Sequence, residues 1–327
     1  MRKAGISVGS WRNASRVIRV GLFAAVLTSS VALAAKDYGN WSAPRNAEKE
    51  MPGSSEMLNT AANDGCPILS PYDNSLYIAS NRPGSVPNAA GGNSLDIWIA
   101  PWTGSGWGTP VNAGPEINTA ADEFCPSPAR GNKMFFVRRS SPTNTDIYVV
   151  RNGPKGFGTP QALPKGENAI NSPFEEWSPS YFEADGHEYL YFSSTRVGAP
   201  RQQIFYSVDF GPAQMAQGGV ASSASDARPN VRHDGLEIVW DSTRTGAIGG
   251  VNPDIWTATR SSVDEPWGTA VHLENGINSP AGETRASLSW DGTRLMFGST
   301  RPSNNGVPAE GSADVYTATR EKGTGQP

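Results

Sequence analysis

A unit of about fifty residues recurs five times along the chain. Each unit has an Asn-Ser/Thr corner, a carboxylate, a proline soon after it, a β-turn, an aromatic run that usually ends in Ser-x-Arg, an Asp-led run and a Trp-Gly-Thr-Pro element. The carboxylates are Asp64, Glu123, Glu176, Asp226 and Glu283. A period of this length with several short strands per unit is typical of a β-propeller. We therefore predict an all-β fold with five blades.

Turn residues and apolar runs divide each unit into four strands, A to D from the axis outward. Strand A starts at the carboxylate and ends at a turn such as Asp234-Gly235 or Asp291-Gly292, a pair that favours a tight hairpin. Strand B ends at the Ser-x-Arg element, strand C starts at the aspartate, and strand D is the Trp-Gly-Thr-Pro element. The predicted blades span about 60–112, 120–162, 173–216, 224–272, and 281–320 plus 37–46.

The two ends of the chain complement each other. The last unit stops after its strand C, Asp314–Thr319, whereas Trp41-Ser42-Ala43-Pro44 is a strand D with no A, B or C before it. Pairing these segments removes two open sheet edges. We predict that the N-terminal strand closes the fifth blade.

The first 34 residues are typical of a signal peptide. Five basic residues precede an apolar run from Val20 to Ala34 that ends in Ala-Leu-Ala. This predicts a signal at 1–34, a single propeller at 35–327, a periplasmic or secreted location and no membrane span after cleavage; an uncleaved anchor is the alternative. Cleavage would change the net charge from −4 to −9, which disfavours a nucleic-acid partner.

The repeated motif resembles a known family. Asn-Thr/Ser, Glu, Pro, turn, Phe-x-Ser-x-Arg, Asp-Ile-Tyr and Trp-Gly-x-Pro in this order, over nearly all of 37–320, are similar to the PD40 or TolB-type WD40-like propeller repeats of bacterial envelope proteins. The resemblance implies a propeller of the envelope that acts as an interaction platform. It carries over no enzymatic motif.

The repeated charges are predicted to lie on one face, because strand B is antiparallel to A and C. Each arginine would then stand between two acids, which suits bidentate pairing. The interpretation that we favour is blade architecture. The alternative is a carboxylate ring at the channel mouth that binds a sugar or a cation, with Ca²⁺ as the ion that oxygen ligands would suit; no dedicated metal site is predicted.

The positions where the repeat varies are better candidates for a pocket. Two residues after each carboxylate, in one register near the axis, stand Cys66, Cys125, Ser178, Arg228 and Arg285. Arg228 and Arg285 are candidates to hold a carboxylate, phosphate or uronate, and ordinary pairing with neighbouring acids is the alternative. Glu123 and Glu176 are further ligand-binding candidates. Whether Cys66 and Cys125 form a disulfide stays open, since the bond is easy only if both face the axis.

Two functions are compatible with these features. The first is a monomeric, non-catalytic binding or scaffold propeller that holds an envelope protein or an acidic glycan or peptide and needs no cofactor. The alternative is a secreted hydrolase or lyase acting on a glycan or lactone. Such a hydrolase needs two carboxyl groups, and the candidates are Asp64, Asp226 and Glu283.

Overall fold

The computed structural model describes residues 38–198, 201–304, 307–308 and 313–323. The strands and the single short helix of this part are β1 Arg45–Asn46, α1 Ala47–Glu50, β2 Asp64–Leu69, β3 Leu76–Ser80, β4 Asp96–Ala100, β5 Val111–Asn112, β6 Asp122–Ala129, β7 Lys133–Ser141, β8 Asn144–Gly153, β9 Gly156–Phe157, β10 Gln161–Ala162, β11 Glu176–Ala184, β12 His187–Ser194, β13 Gln203–Val208, β14 Gln214–Met215, β15 Asp226–Val231, β16 Glu237–Ser242, β17 Asp254–Thr259, β18 Val271–His272, β19 Glu283–Leu288, β20 Arg294–Ser299, β21 Ser303–Asn304, β22 Val307–Pro308 and β23 Asp314–Thr319.

Five antiparallel sheets form the blades of a five-bladed propeller, as predicted. Their strand orders from the axis outward are β2-β3-β4-β5, β6-β7-β8-β10, β11-β12-β13-β14, β15-β16-β17-β18 and β19-β20-β23-β1. Strand β9 also pairs with β8, and β21 pairs with β22. The predicted signal peptide lies outside the described residues. Among those residues, no helix has the length and apolar character needed to cross a membrane.

The N-terminal strand closes the fifth blade. Arg45 pairs with Thr317 and Asn46 with Tyr316, and the Ser42 N–H donates to the Thr319 carbonyl at 2.7 Å. The Trp41 side chain is 8% exposed and lies in a core cluster with residues of blades four and five. One blade is therefore held by both ends of the chain, and no outer edge is left open there.

The outer strands differ from the prediction. The Trp-Gly-Thr-Pro elements are not strands themselves; the paired residues come after them, as at Val111–Asn112 and Gln161–Ala162. Proline has no N–H for a sheet ladder, so pairing starts beyond it. The tryptophan instead packs into the core: Trp107 is 1% exposed, and its Nε1–H donates to the Asn74 carbonyl at 3.0 Å.

A bulge recurs in all five inner strands. Each strand shifts its register two residues after the carboxylate, for example between Gly65 and Ile68. The bulged residues all have positive φ: Cys66 49°, Cys125 48°, Ser178 50°, Arg228 54° and Arg285 56°. Non-glycine residues rarely adopt this conformation, and it costs energy wherever it occurs. The bulge turns these five side chains toward the axis, as the common register predicted.

Candidate functional site

The five repeated carboxylates lie inside the blades, not at the channel mouth. Each is 0% exposed and accepts hydrogen bonds from an arginine and from the hydroxyl of the corner residue four positions earlier. In the first blade Arg82 Nη2 donates to Asp64 Oδ1 at 2.6 Å, while the backbone N–H and the hydroxyl of Thr60 donate to Oδ2 at 2.7 and 2.8 Å. The other four bonds to arginine are Arg138–Glu123, Arg196–Glu176, Arg244–Asp226 and Arg301–Glu283.

This burial corrects the predicted placement of the candidate residues. Asp64, Asp226 and Glu283 have no face toward the channel, and the same holds for Glu123 and Glu176. Burial raises the pKa of the Glu123, Glu176 and Glu283 carboxyls, although the corner hydroxyls and the arginines oppose that effect. These buried carboxylates have both oxygens hydrogen-bonded. They link the Asn-Ser/Thr corner to strands A and B of each blade.

The arginines are held by more than the carboxylates. Arg82 Nη1 donates to the Met57 carbonyl at 2.7 Å, and its guanidinium carbon lies 5.4 Å from the centre of the Trp98 ring. The aspartates that start strand C take other partners, contrary to the prediction: Asp96 accepts from the Val86 N–H at 2.8 Å, and Asp254 Oδ2 pairs with His272 Nε2 at 2.6 Å. Each arginine therefore pairs with one acid only.

Blade two uses a different arginine for the same bond. Arg138 is the register partner of Glu123, the position that serine holds in the other blades, and its Nε donates to Glu123 Oε1 at 2.6 Å. Arg139 is thereby displaced toward the axis. Its guanidinium carbon lies 4.8 Å from the centre of the Trp177 ring, and no described residue hydrogen-bonds or ion-pairs with its side chain.

Cys66 and Cys125 form a disulfide, with their Cα atoms 4.8 Å apart. The bond joins the bulges of blades one and two, so both side chains face the axis. The sequence left open whether this disulfide forms; it does, and both cysteines face the axis, which is the orientation in which the bond was expected to be easy. Ser178, the equivalent residue of blade three, donates from Oγ to Cys125 Sγ at 3.2 Å.

The other two bulge residues meet around one buried carboxylate. Asp241 is 1% exposed; its Oδ2 pairs with Arg228 Nη1 and its Oδ1 accepts from the backbone N–H of Arg285 at 2.9 Å. Burial raises the pKa of Asp241, and Arg228 opposes that effect. Burial lowers the pKa of Arg285 to about 10, and the charges of Arg228 and Arg139 act in the same direction.

A cavity of about 130 Å³ opens at the axis on the face where strands A start and strands B end. Its walls include Asn63, Leu95, Phe124, Arg139, Trp177 and Arg285. Arg285 also lines the adjoining constriction of about 30 Å³, where it meets Arg228. Four buried N–H groups of this region have no partner among the described residues: Arg139 Nε, Trp177 Nε1, Arg228 Nε and Arg285 Nε.

Two carboxyl groups in neighbouring blades belong to residues next to the cavity lining, although neither residue lines the cavity itself. Asp122 is the register partner of Arg139, and its Oδ1 accepts from the Leu95 N–H at 3.0 Å. Glu175, in the equivalent position of the next blade, lies two residues before Trp177. Both are partly exposed, and no described residue bonds the Glu175 carboxyl. The sequence analysis missed them because they immediately precede the repeated carboxylates.

A second cavity, of about 230 Å³, opens at the opposite end of the axis. Its walls include His233, whose ring centre is 4.4 Å from that of Trp290, and Arg130, whose guanidinium carbon is 4.1 Å from the same ring. His233 and Arg130 thus both contact the Trp290 ring at this end of the axis. Among the described residues, no group of three or more His, Cys, Asp or Glu side chains is arranged to hold a metal ion.

The fold is similar to solved propellers of very different sequence. An α-L-arabinofuranosidase from Podospora anserina is 11% identical, with a TM-score of 0.50 over 88% of this chain and 97% of its own. A β-xylosidase/α-arabinofuranosidase from a compost microbial metagenome is 14% identical, with a TM-score of 0.51 over 85% and 98%. The structural neighbours also include a putative TolB from Agrobacterium tumefaciens, 16% identical, with a TM-score of 0.48 over 85% and 90%.

No protein-family model matches the chain, and no curated protein matches it in sequence. TolB propellers are among the structural neighbours, and the predicted PD40 repeat family is not confirmed. The expected non-catalytic scaffold is corrected by these comparisons, because the neighbours with a TM-score of at least 0.50 include arabinofuranosidase, xylosidase and xylanase propellers. That finding favours the hydrolase alternative.

Proposed function

We propose that this chain is an exported enzyme that cleaves glycosidic bonds at the axial cavity on the carboxylate face. The observation that carries the proposal is the contrast between two sets of acids. The five repeated carboxylates are buried, whereas Asp122 and Glu175 are partly exposed. Asp122 pairs in register with Arg139 and bonds Leu95, and Glu175 lies two residues before Trp177; Arg139, Leu95 and Trp177 all line the cavity, together with Phe124. Aromatic rings offer apolar faces against which a sugar ring packs.

The chemistry needs two carboxyl groups and water. One carboxyl group donates a proton to the oxygen of the leaving sugar, while the other activates a water molecule or attacks the anomeric carbon directly. The products are one new hydroxyl on each fragment. The proposal assigns these two roles to Asp122 and Glu175, and it leaves Asp64, Asp226 and Glu283 as structural groups because none of them reaches the channel.

The hydrolase class agrees with the neighbouring structures, whose names include α-L-arabinofuranosidase and β-xylosidase. The leader-like segment of 1–34 supports export, since enzymes that act on polymeric glycans meet their substrates outside the cytoplasm. The proposed substrates are therefore polysaccharides or oligosaccharides in the periplasm or the surroundings.

The test is a hydrolysis screen of the chain without its first 34 residues. Nitrophenyl glycosides of arabinofuranose, xylose, galacturonic acid and glucuronic acid, with the corresponding polysaccharides, are assayed for nitrophenol and reducing ends. Asp122→Asn and Glu175→Gln are each expected to lower kcat at least about 10²-fold. Glu116→Gln, which changes an exposed carboxyl elsewhere, is the control and should keep full activity. Absence of hydrolysis across the panel, or full activity in both variants, contradicts the proposal.

A further inference from the structure

We infer that the axial cavity selects a glycan unit that carries a carboxylate, a uronic acid, and that Arg139 and Arg285 bind that carboxylate with support from Arg228. This inference rests on the proposed function for the reaction, and on the geometry of the arginines for the substrate class.

The arginines are concentrated where the protein has few acids to pair with them. Arg228 and Arg285 share Asp241 as a deeply buried acid, and Arg228 forms the ion pair with it. The charge of Arg139 acts on Arg285. Arg139 and Arg285 have no ion-pair partner within 4.0 Å among the described residues. Elsewhere in that part of the chain, most buried arginines have a carboxylate or carbonyl partner: Arg82 and Arg232 are examples.

The unpartnered donors point to a planar anion as the ligand. Buried N–H groups without partners are unusual, because each costs free energy until a partner is found. Here Arg139 Nε, Arg228 Nε and Arg285 Nε are buried and unbonded around one cavity and its constriction. A guanidinium group presents its N–H pairs in a fork that fits the two oxygens of a carboxylate.

The rest of the cavity favours a sugar acid over a bare anion. Trp177 and Phe124 line it, with ring centres 5.2 Å apart, and the Trp177 Nε1–H has no partner. An apolar ring face beside an anion-binding group matches a pyranose ring that bears a carboxylate. Arg285 reaches from blade five to the neighbouring blade one, where its Nη1 lies 3.7 Å from the position that a Cβ on Gly65 would take.

Binding is tested separately from cleavage. Isothermal titration calorimetry measures the affinities of D-galacturonate and D-glucuronate, their neutral parents D-galactose and D-glucose, and inorganic phosphate. The wild type should bind a uronate at least about tenfold more tightly than its neutral parent. Arg139→Gln and Arg285→Gln should each remove that preference, and Arg285→Lys should restore part of it because the charge is kept. Arg151→Gln, an exposed arginine on β8, is the control.

The outcomes separate the two proposals. Hydrolysis of neutral glycans with no uronate preference would overturn the inference and leave the proposed function standing. Uronate binding that depends on Arg139 and Arg285, with no hydrolysis of any glycan, would keep the inference and overturn the function. Equal binding of phosphate and uronate would show an unselective anion site and contradict the inference. Circular dichroism checks that each variant is folded. Substitution of Arg139 is the change least expected to unfold the protein, because its side chain forms no hydrogen bond or ion pair with any described residue.

Discussion

Arg138 donates from Nε to Glu123 Oε1 at 2.6 Å, from a strand position that the other four blades give to serine. Elsewhere that serine supports an arginine two residues later, as Ser80 Oγ accepts from Arg82 Nε at 3.0 Å. Blade two therefore keeps the sealed carboxylate–arginine pair with a shifted arginine. The shift places Arg139 beside Trp177 at the axis.

Stability should distinguish these consecutive arginines. Arg138→Ala leaves the Glu123 carboxylate buried without its ion partner, and we expect a loss of about 1–3 kcal/mol in the free energy of unfolding. Arg301→Ala should cost at least as much in blade five, where the carboxylate is equally buried and the arginine is less exposed. Arg139→Ala removes no hydrogen bond or ion pair, only the contacts of the guanidinium with the Trp177 and Phe124 rings, and should change stability by about 1 kcal/mol or less. Urea unfolding measures all three, and equal losses for Arg138 and Arg139 would contradict the assignment.

The disulfide should stabilise the join between blades one and two. Replacing Cys66 and Cys125 together with serine is expected to lower the free energy of unfolding by about 2–4 kcal/mol, because the bond closes a long loop in the unfolded chain. Reduction with dithiothreitol should lower the melting temperature of the wild type and leave that of the double variant unchanged. A melting temperature that does not respond to reduction in either protein would contradict the prediction.

The blades were predictable from the sequence because each repeat contains the residues that determine its own inner strands. The carboxylate, the turn and the Ser-x-Arg element fix strands A and B locally, so inner strands start at Asp64, Glu176, Asp226 and Glu283 as predicted. Closure of the ring followed from the leftover segments at the two ends. The outer strands were less predictable, because a tryptophan packed in the core and a strand residue look alike in one sequence.

The site was harder to predict because the repeated motif does not show whether its carboxylate is buried or exposed. A carboxylate found in every blade reads equally well as a ring of ligands or as a structural pair, and only the 0% exposure of Asp64 and its equivalents separates the two. The candidates that the structure brings to the axis occupy positions that do not repeat. Asp122 and Glu175 are equivalent to Asn63, Ser225 and Gly282 of the other three blades. This variation between blades is the signal in the sequence that could have identified them.

Closure by the N-terminal strand should dominate thermal stability. Deleting residues 38–46 opens blade five and removes Trp41 from the cluster around Phe297 and Tyr316. Loss of a buried tryptophan alone costs about 3–5 kcal/mol, so the melting temperature should fall by at least about 10 °C. Arg45→Ala, an exposed residue of the same strand, should leave the melting curve nearly unchanged. A deletion variant that melts with the wild type would rule out this role.

His233 should make stability depend on pH. Burial lowers the pKa of its imidazole in the folded protein, so the unfolded chain binds the proton more readily. The neutral imidazole therefore contributes stability above the unfolded pKa of about 6.5, and that contribution is lost as the pH falls through the lower folded pKa. His233→Gln should show a smaller drop in melting temperature between about pH 7 and pH 5 than the wild type. The same slope in both proteins would exclude His233 as the cause.

Asp241 should affect both the free energy of unfolding and the affinity of the axial cavity for anions. Asp241→Asn keeps an oxygen for the Arg285 N–H but removes the negative charge that pairs with Arg228. Breaking a buried ion pair destabilises a protein by about 3–5 kcal/mol, and urea unfolding should show a loss of at least 1 kcal/mol. The same change leaves Arg228 and Arg285 without a buried counter-charge, so the affinity for D-galacturonate should rise while that for D-galactose stays constant. Weaker uronate binding in the folded variant would mean that Asp241 positions the arginines for the ligand, and the charge argument would then be wrong.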